Sequence, residues 1–244
     1  MAIALRSVAT TTPPHPGQHA IILAGGRGER LHGLTARRAK PAVAFGGTLR
    51  LLDFTLGNCL NSGITRLSVL TQYRGDSIER HLRGAWWNTP AGGVQIDVVP
   101  SACDHGYRGT ADAVHQQLAR LRREGVRQVL VLAGDHVCKM DLRRLLQSHA
   151  DSGAGLTVAA LEVPAQEAAG AFGVLRVNAI GQVTGFDEKP ERPACVPGRD
   201  GQALVSLGIY AADLDLLQAI LVQDAADPRS RHDFGHDVLP RVVA

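Results

Sequence analysis

Residues 20–31 read AIILAGGRGERL. A short apolar run ends on small residues, Ala24-Gly25-Gly26-Arg27-Gly28, and passes into Glu29-Arg30-Leu31. A continuous apolar run stopped by glycines is the pattern of a strand buried on both faces. A glycine turn directly after such a strand is where α/β proteins hold phosphates. Glycines let the main chain approach an anion, and the N–H groups of the turn and of the next helix start favour negative charge.

Working outward, the same kind of run recurs as RLSVLT (66–71), VQIDVV (94–99), QVLVLA (128–133) and LTVAAL (156–161). Between the runs lie segments with helical spacing: Asp53 to Ser62, closing on Gly63; Asp76 to Leu82; Thr110 to Glu124, with Val114, Leu118 and Leu121 on one face; and Asp141 to Ala150, with Leu142, Leu145 and Leu146 together before Gly153. Such alternation predicts an α/β sheet with helices on both faces. Beyond residue 161 the pattern changes. FGVLRV and QVTGF predict a hairpin turning at Asn178 and Gly181, then ALVSLGIYAA predicts a strand and Asp213 to Val222 a helix. The sheet is therefore expected to be mixed but mostly parallel. Residues 1–18, with TTPPHPGQH, read as a flexible tail, residues 19–244 as one domain, and PERPACVPGRDGQ (190–202) as its most loop-like stretch.

Composition excludes several classes. The 244 residues are 45% hydrophobic and 20% charged, ordinary for a globular chain with a sizeable core. A net charge of +3 with 4% aromatics argues against nucleic acid as a partner. No apolar run approaches the ~20 residues of a membrane helix, and the first residues are weaker than a secretory signal. Cys59, Cys103, Cys138 and Cys195 are scattered and read as reduced thiols. The expected location is the cytoplasm.

Two common phosphate motifs fail at the glycine turn. From Gly26, the third glycine of a dinucleotide fingerprint would fall at Leu31; Gly28 to Gly33 has the spacing of a Walker loop, but Leu34 follows where Lys is needed. Arg27, Arg30, Arg37, Arg38 and Lys40 crowd the same stretch, a group suited to a triphosphate. Asp135 ends the run QVLVLAG and so belongs at the carboxyl edge of the sheet, where a hard oxygen ligand suits Mg²⁺, unless it serves only as a helix cap. His232 and His236 have i, i+4 spacing, but Gly235 between them argues against a helix and hence against a metal pair. RLRREGVR (120–127) reads as a solvated helix face.

LAGGRGERL followed by RRAKPAVAFGG resembles the G-G-x-G-T-R-L and K-P signature of the nucleotide-sugar pyrophosphorylases. RLLDFTLGNCLNSGI, TQY, YRGTADAV, VLAGDHV, FGV, EKP, SLGIY and HDFG then appear in order. This series, over about residues 19 to 243, resembles the ADP-glucose pyrophosphorylases (glucose-1-phosphate adenylyltransferases) of bacterial glycogen and plant starch synthesis.

The resemblance implies a Rossmann-like, three-layer nucleotidyltransferase (GT-A-like) domain that transfers the adenylyl group of ATP to glucose 1-phosphate, with Mg²⁺ as cofactor. It implies Asp135 as metal-binding catalytic residue, Arg30 on the departing pyrophosphate and Lys40 on the phosphates. It places Leu23, Gly25, Gly26, Gly28, Gln72, Tyr107, Gly109 and Thr110 on the ATP side. It places Gly173, Glu188, Lys189, Ser206 and Gly208 on the glucose 1-phosphate side. A change of nucleotide to UTP or dTTP is disfavoured by YRGTADAV and HDFG.

Four departures from the family pattern stand out. Glu29 replaces a usual Thr, Asp187 replaces an apolar residue before EKP, and Gly106 stands where an aromatic is common before Tyr107. The sequence also ends at Ala244, before the W-x-D-V-G motif with a second metal-binding Asp and before the family's left-handed β-helix. The expectation is a C-terminally truncated member without the β-helix. It would act either as an adenylyltransferase, alone or as a homo-oligomer, or as a catalytically weak nucleotide- or sugar-phosphate-binding module associated with a full-length homologue.

Overall fold

The computed structural model describes residues 17–87 and 94–243. The expected tail therefore lies outside the described residues, except for Gly17 and Gln18, and Gln18 already belongs to the first strand. In chain order the elements are β1 (Gln18–Leu23), 3-10 turns at Glu29–Leu34 and Lys40–Ala42, β2 (Ala44–Phe45), β3 (Leu49–Arg50), α1 (Leu51–Asn61), β4 (Arg66–Thr71) and α2 (Gly75–Ala85). Then follow β5 (Gln95–Pro100), α3 (Thr110–His115), α4 (Leu118–Arg123), β6 (Gln128–Ala133), α5 (Leu142–Ser152), β7 (Leu156–Pro164) and α6 (Ala165–Ala168). The chain finishes with β8 (Gly173–Val177), β9 (Val183–Glu188), β10 (Gln202–Asp213), α7 (Leu214–Ala226), a π-helical turn at Phe234–Val238 and α8 (Leu239–Val242).

Eight strands form the main sheet in the order β5-β4-β1-β6-β10-β8-β9, with β7 on the other edge of β10. β5, β4, β1 and β6 are parallel neighbours, whereas β10 runs antiparallel to β6, β7 and β8, and β9 antiparallel to β8. β1, β4, β5, β6, β7 and β8 thus share one direction and β9 and β10 oppose them: a mixed sheet with most strands pointing the same way.

The continuous apolar runs are explained by burial on both sides. Ala20 and Ile22 of β1, Leu130 and Leu132 of β6 and Ile209 and Ala211 of β10 pack with α1, α2 and α5. Their alternate neighbours Ile21, Val129, Val131, Tyr210 and Ala212 pack with α3, α4 and α7. Successive side chains of a strand point to opposite faces, so each run supplies two cores. The result is three layers, with the strand ends free to carry a site.

β10 is long enough to take two partners on one edge. Leu204 and Val205 pair with β8, Tyr210 to Asp213 pair with β6, and β7 follows the opposite edge with a bulge between Ser206 and Tyr210. Residues 206–209 therefore face a gap between β8 and β6.

Two expectations are corrected. The segment Thr110 to Glu124 is not one helix: it breaks at Gln116–Gln117, where Gln117 N bonds Val114 O at 2.9 Å, a tighter turn than the α-helix makes. Val114, Leu118 and Leu121 keep their common face through the break. Nor is RLRREGVR wholly a solvated face. Arg120 reaches inward to Ser68 Oγ (2.5 Å) and Asp97 (3.2 Å), and Ser68 in turn bonds His19 Nε2 at 2.7 Å. His19 and Ser68 are buried, and among the described residues His19 Nδ1 has no hydrogen-bond partner.

Candidate active site

One cavity of about 570 Å³ opens at the carboxyl ends of β1, β4 and β6 and along the gap in β10. Leu23 ends β1 there, and Ala24, Gly25 and Gly26 carry the chain on along the cavity. The sheet forces this placement. β1 is flanked on both sides by parallel strands in register, so Leu23 is fixed between Leu70 and Ala133. Gln72, Tyr107, Gly109 and Thr110 line the cavity with the glycine turn, and Gly173, Glu188, Lys189, Ser206 and Gly208 line the part beside β8 to β10.

Lys40 and Asp135 meet in this cavity, with Lys40 Nζ 2.5 Å from Asp135 Oδ2. Asp135 stands just past the end of β6, Lys40 at the start of a 3-10 turn. Gly28 makes Lys40's position available. Its φ of 65° is left-handed, and a Cβ there would come within 2.8 Å of Lys40 Cβ.

Thr110, at the start of α3, organises a second wall. Its hydroxyl donates to Asp233 Oδ2 (2.9 Å) and accepts from Phe234 N (3.0 Å). The other Asp233 oxygen accepts from Gly235 N and His236 N. The carbonyl of His232 accepts from Ala111 N at 2.8 Å. Gly109 permits this approach, because a Cβ there would collide with the carbonyls of Arg231 and His232. His232 itself is buried, with a left-handed φ of 57°, and its Nδ1 lies 3.0 Å from Asp224. His232 thus holds a loop, and residues 234–238 do form a helical turn, of π type, despite Gly235.

Tyr107 is nearly buried, its hydroxyl donates to Val99 O (3.1 Å) and its N–H to Gln72 Oε1 (3.3 Å). Burial, with Asp112 nearby, pushes the phenol up to about 12. Tyr107 lines the cavity, while its hydroxyl is occupied elsewhere. On the far side, Lys189 Nζ donates to Glu188 Oε1 at 2.7 Å, and Lys189 has a left-handed φ of 48°. Ser206 Oγ accepts from Gly208 N at 3.1 Å, closing the bulge of β10.

The crowded cations of residues 27–40 do not act as one group. His32, at φ 45° and ψ −118°, breaks the first 3-10 turn and redirects the chain. Lys40 lines the main cavity; Arg37 and Arg38 line a separate cavity of about 450 Å³ with Arg50, Arg80 and His81. Arg27 lies over the Tyr73 ring, 5.7 Å from its centroid. Arg30 is exposed on the turn after the glycines, and neither Arg30 nor Gly28 lines the main cavity.

The departures find physical settings. Glu29 is exposed and away from the cavity lining. Asp187 pairs with Arg176 across the β8–β9 hairpin (3.2 Å), while its neighbours Phe186 and Glu188 face the cavity. At Gly106, φ is 80° and a Cβ would meet the Gln72 amide, so a larger residue requires Gln72 to swing aside. Sequence reasoning did not assign His136, Phe172, Phe186, Leu207, Tyr210, Asp233, Phe234 or Gly235 to the site, yet all line it. Phe172, Leu207 and Tyr210 sit in FGV and SLGIY beside residues that the sequence did assign (Gly173, Ser206, Gly208), and Asp233, Phe234 and Gly235 sit in HDFG, from which no site residue was drawn.

A mixed sheet with a glycine turn after its central strand and a cation–carboxylate pair at the strand tips defines a nucleotide-handling α/β domain. The model of the nucleotidyl transferase family matches residues 19–244, and the chain belongs to that family. Among curated proteins it is 51% identical over 229 residues to a glucose-1-phosphate adenylyltransferase of Paraburkholderia phytofirmans, covering 92% of this chain and 54% of that protein. It is 45% identical over 229 residues to a protein of the same name from Saccharophagus degradans, with the same coverage. It is 49% identical over 231 residues to one from Nitrosomonas europaea, covering 92% of this chain and 53% of that protein. The chain thus spans about half the length of the curated relatives it matches. Among the described residues, no helix is long and apolar enough to cross a membrane.

Proposed function

We propose that the cavity transfers the adenylyl group of ATP to glucose 1-phosphate, giving ADP-glucose and pyrophosphate for α-glucan synthesis. The observation that carries this reading is the shared lining. Gly25, Gly26, Lys40 and Asp135 meet Glu188, Lys189, Ser206 and Gly208 in one cavity, so a polyanionic nucleotide and a sugar phosphate can be held together. Leu23, Gln72, Tyr107 and Gly109 support the base and ribose side, with Tyr107 contributing its ring.

The nucleophile, a phosphate oxygen of the sugar phosphate, is already an anion, so no strong base is needed. An oxygen–phosphorus bond forms between the sugar phosphate and the α-phosphorus of ATP as the α-phosphorus–oxygen bond to pyrophosphate breaks, and pyrophosphate leaves with that oxygen. The chain's work is positioning and charge neutralisation. Lys189 binds the sugar phosphate, and Glu188 and the Ser206–Gly208 bulge take sugar hydroxyls. Lys40 neutralises the triphosphate, and Arg30, exposed beyond the glycines, is left for the pyrophosphate end.

The donor set fits Mg²⁺ arriving with the triphosphate. Asp135 offers one hard carboxylate beside phosphate space, and Mg²⁺ takes one or two carboxylates with phosphate oxygens and waters. Bound there, Mg²⁺ would supply charge stabilisation at the phosphates. The test is pyrophosphate release from ATP, glucose 1-phosphate and Mg²⁺. Turnover that Asp135→Asn abolishes is expected; a well-folded protein with no release above blank refutes the reading, and a panel with UTP and dTTP tests the nucleotide.

A second reading, a binding module of low activity, is favoured by one observation. Of the carboxylates lining the cavity, Asp233 is occupied by Thr110 and two N–H groups and Glu188 by Lys189, which leaves Asp135 as the carboxylate beside Lys40. ATP binding by calorimetry without turnover would select it.

A further inference from the structure

We propose that Asn58 is a positioning residue that fixes the loop carrying Asp135. The loop runs from Gly134, after β6, to Asp141, the cap of α5. Its ends are tied by main-chain bonds, Gly134 N to Leu23 O (3.0 Å) and Arg144 N to Asp141 O (3.2 Å). Between them, among the described residues, no main-chain to main-chain hydrogen bond holds residues 135–140. A segment with that deficit wanders unless side chains supply the missing partners.

α1 supplies them. Thr55, Asn58 and Ser62 lie at i, i+3 and i+7, one face of the helix. Thr55 Oγ1 donates to Ala133 O (2.9 Å), Asn58 Nδ2 donates to Cys138 O (3.0 Å), Met140 N donates to Asn58 Oδ1 (3.1 Å), and Leu142 N donates to Ser62 Oγ (2.9 Å). Thr55 and Ser62 hold residues that the sheet and α5 already fix. Among the described residues, Asn58 is the side chain that hydrogen-bonds the main chain between residues 136 and 140, and it needs a donor and an acceptor on one short side chain, which its amide provides. The amide orientation follows from the network, since a carbonyl requires the N–H₂ and an N–H requires the oxygen.

The consequence for chemistry rests on the reading of Asp135 given above. Cys138 is three residues from Asp135, so its anchor limits how far the carboxylate strays from Lys40. A misplacement of about 1 Å costs on the order of 10²-fold in a positioned reaction.

The test compares the full chain with Asn58→Leu, of similar size without polar atoms, and Asn58→Asp, which keeps the acceptor for Met140 N and loses the donor. Amide hydrogen exchange of residues 134–141 is read beside β1 and β6, with Mn²⁺ binding by electron paramagnetic resonance, kcat, and KM for ATP. The expected result in Asn58→Leu is exchange faster by about 10-fold or more in that loop alone, weaker Mn²⁺ binding and a kcat lower by about 10²-fold with KM for ATP little changed. Asn58→Asp is expected between the two, and it carries the test if Asn58→Leu does not fold. Unchanged loop exchange in a folded variant overturns the proposal, and so does faster exchange with Mn²⁺ binding and kcat unmoved. Asp135→Asn separates the two readings. If that variant keeps Mn²⁺ binding and turnover, the assignment of Asp135 fails, and the exchange result alone decides whether Asn58 anchors the loop.

Discussion

Lys40 Nζ lies 2.5 Å from Asp135 Oδ2, although the two residues lie far apart in sequence, one after β1 and the other after its neighbour β6. Their side chains are 32% and 26% exposed, so each is partly withdrawn from water while still reachable by a ligand. A cation and an anion held in place before substrate arrives need little reorganisation during reaction.

Lys40→Gln is expected to separate activity from stability. A partly exposed ion pair contributes about 0–1 kcal/mol to folding, so the melting temperature should hardly move. Loss of one preorganised positive group should lower kcat/KM for ATP by about 10²–10³-fold. Steady-state pyrophosphate release and a thermal melt check the two halves; a large fall in melting temperature contradicts the assignment.

Lys189 occupies the left-handed region at φ 48°. Lys189→Gly relieves that strain, whereas Lys189→Ala does not. The glycine variant should be more stable than the alanine variant by about 1 kcal/mol. Both should raise KM for glucose 1-phosphate by about 10–100-fold, the size of a lost charged hydrogen bond. Denaturant curves and saturation kinetics on the pair test whether strain is retained here for binding.

Gly109→Ala places a methyl group on the carbonyls of Arg231 and His232. The loop must retreat, taking the Ala111–His232 and Thr110–Asp233 bonds with it. Overpacking and two weakened hydrogen bonds together predict a loss of about 3 kcal/mol. Urea unfolding measures it, and an unaltered midpoint would show the contact to be loose.

His19 predicts an acid sensitivity unrelated to the site. Burial, then the charges of Arg120 and Arg66, lower its pKa from 6.5 to about 4. The folded state thus keeps the ring neutral while the unfolded state takes a proton below 6.5. The stability this confers is present above pH 6.5 and is lost as pH falls toward 4. Between pH 7 and 4.5 the chain should lose about 2 kcal/mol more than His19→Gln, which removes the titration. Parallel slopes of stability against pH for the two proteins would contradict this.

The sheet's parallel half was legible because RLSVLT and QVLVLA are buried on both faces, and the structure places β4 and β6 on those residues. The break after α3 was not, because Val114, Leu118 and Leu121 keep helical spacing through it. Lys40 and Arg38 are close in sequence but line different cavities, and side-chain type carries no trace of that divergence. Asn58 lay in a motif quoted only as a likeness. Its partners are 80 and more residues away, beyond any local pattern.

The gap that β10 leaves between β8 and β6 has a chemical consequence. Among the described residues no strand pairs with residues 206–209 on that edge; Gly208 N turns back to Ser206 Oγ, and the other main-chain groups there are open to water or to a ligand rich in hydroxyls. A pyranose can finish the ladder where the protein breaks off, so recognition of carbohydrate would be written into the backbone itself. Side-chain exchange at Ser206 should then tune this preference more readily than it abolishes it.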